Sequence, residues 1–70
     1  MTVKVVPLPG PLDQLIFDVI LPGGHAKTFT LYDYDLRAYR GARIPEIIEQ
    51  KVLDFLQELG HTGDTSIQFY

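Results

Sequence analysis

All three arginines of this chain fall within seven residues, Arg37-Ala38-Tyr39-Arg40-Gly41-Ala42-Arg43. The rest is acidic: nine Asp and Glu stand against six Lys and Arg, for a formal net charge of -3. A guanidinium is a planar, permanently charged fork that matches phosphate or carboxylate. A helix beginning just after Arg43 would add free N–H groups and a favourable dipole. The cluster therefore admits a small-anion or nucleotide site, with Tyr39 stacking on a ring. An ion-pair hub accounts for the charges better than a small-anion site, because Asp33, Asp35, Glu46 and Glu49 are close in sequence. Exposed pairs of that sort contribute under about 1 kcal/mol. Arginine and tyrosine are also enriched at protein-binding hot spots. A protein-contact role therefore suits the cluster better than a lone phosphate site.

Other chemistry is sparse. His25 and His61 are far apart, and the chain has no cysteine, so no zinc-site spacing is present. A cation after a helix C-terminus accounts for His61 without a ligand. Ser66 is the only serine and sits in strand-like sequence without the context of a nucleophile elbow. Gly23-Gly24 lacks the Lys-Ser/Thr of a phosphate loop. Asp33 and Asp35 share a parity, but nothing implies a cleft around them. No catalytic residue, metal or cofactor is expected, and the chain reads as a non-enzyme.

The elements that position these residues follow from periodicity. Thr2 to Val6 is valine-rich and reads as a short strand, stopped by Pro7-Leu8-Pro9-Gly10-Pro11. Those prolines miss the PxxP spacing and serve as a connector. Leu12–Leu21 and Lys27–Leu36 are apolar arms around Pro22-Gly23-Gly24-His25-Ala26, a hairpin signal. A two-residue loop would oppose residues of mixed polarity. A loop of three or five residues aligns Leu15, Phe17 and Val19 with Phe29 and Leu31, so an odd-length loop is expected. The other face then carries Ile16, Ile20, Tyr32 and Tyr34 beside Asp18, Thr28 and Thr30. That points to a cover or a partner, although scattered surface hydrophobes are also ordinary.

Asp35 to Gly41 reads as a short helical turn, with Asp35 as cap and Gly41 as the left-handed stop. A longer helix follows Pro45 and ends at Gly60. Its stripe is Ile44, Ile48, Val52, Phe55, Leu56 and Leu59, widened by Ile47 and Leu53. Its other side holds Glu46, Glu49, Asp54 and Glu58, with Lys51 the one cation. Such a face can imitate a phosphate backbone, but most acidic helix faces are simply solvated. Ser66 to Tyr70 alternates as a last strand, with Ile67 and Phe69 inward.

The expected fold is α+β: a small antiparallel or mixed four-stranded sheet in the order β-β-β-α-β, packed on one amphipathic helix. The inward sheet residues are Val3, Val5, Leu15, Phe17, Val19, Phe29, Leu31, Ile67 and Phe69. The hairpin–helix–strand portion resembles a β-grasp arrangement in element order, which by itself implies no function. The chain does not end in Gly-Gly, so a conjugation or sulfur-carrier role has no support.

Seventy residues, 46% of them hydrophobic, allow a single domain spanning 1–70 with one core. No apolar run reaches the roughly 20 residues of a membrane span, and no signal-peptide pattern opens the chain. The acidic balance argues against nucleic acid as a partner. These features suit a cytoplasmic interaction protein that docks on a larger protein, an inhibitor or adaptor of phage or mobile-element type. Its expected contacts are Ile16, Ile20, Tyr32, Tyr34, Arg37, Tyr39, Arg40 and Arg43. Self-association, as a homodimer or as a structural subunit of an assembly, is a further expectation through the same face or a strand edge.

Overall fold

The computed structural model describes residues 1–39, 41–61 and 63–70. Strands β1 (Thr2–Leu8), β2 (Gln14–Ile20) and β3 (Ala26–Tyr32) are followed by helices α1 (Asp33–Ala38) and α2 (Ile44–Glu58), then β4 (Ser66–Phe69). The four-stranded sheet has the order β3-β2-β1-β4. β1–β2 and β2–β3 pair antiparallel, and β4 pairs parallel to β1. The sheet is therefore mixed, and the element order is the expected one. The connection from β3 through α2 to β4 passes over both intervening strands, so β1 stands between the β2–β3 hairpin and the last strand.

Parity sets the hairpin. Phe17 opposes Phe29, Leu15 opposes Leu31, and the paired region ends at Ile20 and Ala26. Five residues remain, an odd number as the face pattern requires. Inside them the Leu21 N–H donates to the His25 carbonyl at 2.7 Å, and the Gly24 N–H to the Leu21 carbonyl at 3.1 Å. Pro22 takes the second position of that turn and Gly23, at φ 95°, the third, the arrangement that requires glycine.

Pro7 does not stop β1, which runs on to Leu8 opposite Ile16. The reason lies in which way each residue's backbone points. The Tyr70 N–H bonds the Val5 carbonyl and the Ser66 N–H the Met1 carbonyl, so odd residues of β1 direct their backbone toward β4. Pairing with β4 ends at Val5. At Pro7 the missing N–H thus faces an open edge, where a proline removes no ladder bond.

One face of the sheet meets α2. Val3, Val5, Phe17, Val19 and Leu31 are buried there against Ile47, Ile48, Val52 and Leu56. Leu15, Phe29, Leu36, Phe55 and Ile67 pack around them. Phe17 stacks on Phe29 at 5.5 Å between centroids, and Phe29 meets Phe55 edge-on at 5.3 Å. The stripe is narrower than expected: Ile44, Leu53 and Leu59 are exposed, and so is Phe69 at 49%. Ile44 and Leu59 lie at the helix ends, past the sheet it covers. Phe69 has the right parity but sits on the outermost strand.

The loop back from α2 closes with two bonds. The His61 N–H donates to the Leu56 carbonyl at 2.9 Å and the Gly60 N–H to the Gln57 carbonyl at 3.0 Å, with Gly60 at φ 86°. This is a Schellman stop, as the glycine signal indicates.

Candidate interaction surface

The opposite face of the sheet is covered by no described element. Its rows run Leu8–Ile16–Thr30, Val6–Asp18–Thr28 and Lys4–Ile20–Ala26 across β1, β2 and β3. Val6, Leu8, Ile16 and Ile20 are half-buried by their neighbours within the sheet. The Thr28 hydroxyl donates to the Asp18 carboxylate at 2.5 Å, fixing the centre of the face. The proline connector folds onto one end: a Cβ placed on Gly10 would lie 2.5 Å from Ile16 Cδ1. At the other end Ile20 helps line a cleft of about 370 Å³ with Thr2, Lys4 and the Leu21–Gly24 turn.

Tyr32 closes β3 on this face, diagonal to Ile16, because Gln14 opposes Tyr32 and Ile16 opposes Thr30. Tyr34 belongs to α1 and not to the strand, a correction to its expected place. The chain turns helical at Asp33, two residues early, because the Asp35 carboxylate accepts the Tyr32 N–H at 3.0 Å. Asp35 thus acts from the third helical position and not as the cap itself. Tyr32 and Tyr34 still meet: their rings stack at 5.7 Å and 6°, with the residues 43% and 71% exposed.

Arg37 lies one turn beyond Tyr34 and pairs with Asp33 at 2.7 Å, its side chain 80% exposed. Arg43 precedes α2. Its N–H donates to the Glu46 carboxylate at 3.4 Å, and its carbonyl accepts from Ile47 at 3.1 Å. Arginine offers no acceptor, so only this half of a capping box forms. Arg40 lies outside the described residues. Tyr39 is half-buried against the core, with the Lys51 ammonium 5.8 Å from its ring centre. The expected single surface is therefore divided: Tyr32, Tyr34 and Arg37 adjoin at the end of the sheet, whereas Tyr39 turns toward the helix layer.

The lysines complete a pattern that periodicity does not signal. Lys27 lies 5.3 Å from the Phe29 ring centre and 5.0 Å from that of Phe55, and Lys4 lies 5.8 Å from Tyr70. With Lys51 on Tyr39, each of the three lysines rests on an aromatic ring. Only the Lys27–Phe29 pair, two residues apart on one strand face, is visible in sequence. A second cleft, of about 290 Å³, opens between β3 and α2, lined by Phe29, Phe55 and Lys51 with Asp35, Asp54 and Glu58.

Among the described residues no arginine lines this cleft, the one beside Ile20, or a third of about 280 Å³ beside His61 and Asp64. Among the described residues no group of three or more His, Asp or Glu is placed to hold a metal ion. Among them, too, no helix is long and apolar enough to cross a membrane. Compared with protein-family models, curated proteins and solved structures, the chain matches none.

Proposed function

We propose that the chain is a non-enzymatic interaction protein of the cytoplasm, docking on a larger protein as an inhibitor or adaptor. Its contact surface is the Tyr32–Tyr34 ledge with Arg37, continued over the outer sheet face by Ile16 and Ile20. The observation that carries this reading is the stacked pair of tyrosines standing largely in solvent. Each ring holds the other in place, so little side-chain freedom is lost when a partner covers them. Aromatic anchors with an adjacent guanidinium are the composition of binding hot spots. The anion or nucleotide reading draws less support, since Asp33 already pairs with Arg37 and neither Arg37 nor Arg43 lines the three clefts.

The test is capture of a partner from source lysate by the wild-type chain, then affinity measurement with Tyr34→Ala/Arg37→Glu. Tyr39→Ala is a poor probe, because it disturbs the core as well. The double variant is expected to lose at least about 2 kcal/mol of binding, roughly 30-fold in Kd. Its melting temperature should stay close to that of the wild type. Equal affinity in the variant rules the ledge out.

A further inference from the structure

The sheet offers three stretches of edge, and they are not alike. β4 is only four residues long. Beyond Val5 the free side of β1 carries Pro7, followed by Pro9, which blunts it. β3 is different: seven residues without proline, in unbroken register with β2, and no described strand beyond it.

The direction of its backbone groups follows from the turn. The Leu21–His25 bond places odd residues of β3 in the pairs that bond β2. The even residues Ala26, Thr28, Thr30 and Tyr32 therefore direct N–H and C=O away from the sheet. Tyr32 is already engaged through Asp35. Ala26, Thr28 and Thr30 remain as a row of donors and acceptors.

We propose that this row pairs with the same row of a second copy, antiparallel, about a two-fold axis through Thr28. The register is argued from complementarity. Centring on Thr28 matches all three outward residues, Thr28 with Thr28 and Ala26 with Thr30, for roughly six hydrogen bonds. On the helix face it sets Lys27 opposite Phe29 of the second copy and keeps the two Lys27 ammoniums out of direct opposition. Each Lys27 already rests on its own Phe29 and Phe55 rings, beside a cleft lined by Asp35, Asp54 and Glu58 with Lys51. The two-fold axis sets the Lys27 of each copy beside the acid-lined cleft of the other, and this self-complementarity of cation and acids along one strand edge selects a copy of this chain as the occupant. The pairing continues the sheet to eight strands; its register sets Tyr32 level with Gly24 of the second copy, just outside the three bonded pairs, and its test on the chain alone does not depend on the docking proposed above.

The experiment is light scattering over a concentration series, with amide hydrogen exchange on the same samples. The mass should rise from 7.9 kDa toward twice that value. The amides of Thr28 and Thr30 should gain protection in step with the mass. Thr28→Pro should stay at 7.9 kDa with unchanged circular dichroism, because its lost N–H faces away from β2 and the hydroxyl bond it gives up, to Asp18, is an exposed one. A wild-type mass fixed at 7.9 kDa up to about 1 mM overturns the proposal. So does association of Thr28→Pro at wild-type strength, or protection that appears on Ile67 and Phe69 instead. If Thr28→Pro does not fold, the wild-type exchange pattern decides alone.

Discussion

Phe17 shows how much one side chain carries in a domain of this size. It is fully buried, stacked on Phe29 and central in the sheet. Phe17→Ala is expected to cost about 3–5 kcal/mol, transfer and cavity together. A core below about 80 residues supplies about the same amount in total. The variant should therefore lack a cooperative urea transition. Phe69 has the same alternating parity, yet half of it is in solvent. Parity states which face a residue takes but not how far the covering helix reaches. That is why the buried set was legible and its rim was not. The lysine–ring contacts were hidden for a related reason: Lys27 reaches Phe55, and Lys4 reaches Tyr70, across elements far apart in sequence. Tyr39 stands among arginines in the sequence, but contact with the core decides its place.

At the scale of elements, the signals that rest on backbone geometry were the most legible. Gly60 was read as a helix stop and takes φ 86°. Gly60→Ala would meet no atom within 4 Å, so its whole cost is the left-handed backbone. That cost is about 1 kcal/mol, expected as a lower denaturant midpoint with an unchanged m value. The odd-length hairpin loop was legible because a shift by one residue would exchange the two faces. Pro7 and Asp35 were misjudged by local rules. Whether a proline ends a strand depends on what its nitrogen would face; that side belongs to β4, which stops short of Pro7 and lies about sixty residues away along the chain. Asp35 has the residue type of a cap, but a carboxylate at the third helical position satisfies the preceding N–H equally well. The arginine cluster was legible as a segment but not as a site. The turn of chain that α1 introduces sends Arg37 and Tyr39 to different sides.

The whole molecule measures 31 × 23 × 18 Å and consists of one sheet and one helix layer. A two-layer fold leaves neighbouring residues of a strand in opposite circumstances. Val19 is fully buried beneath α2, and Ile20 beside it is half-buried on the uncovered face. Ile20→Lys should cost about 1 kcal/mol and retain the fold. Val19→Lys places an unpaired charge in the core and should abolish the urea transition. Similar losses in both would mean that the outer face is not free. The lysines on their rings carry one more consequence, for how this molecule can be handled. An amine-directed dye, cross-linker or coupling resin would neutralise charges that now rest on Phe29, Phe55, Tyr39 and Tyr70. Leu12, at 108% exposure in a chain without cysteine, is a better anchor: a thiol placed there would be unique and would leave every ring its cation.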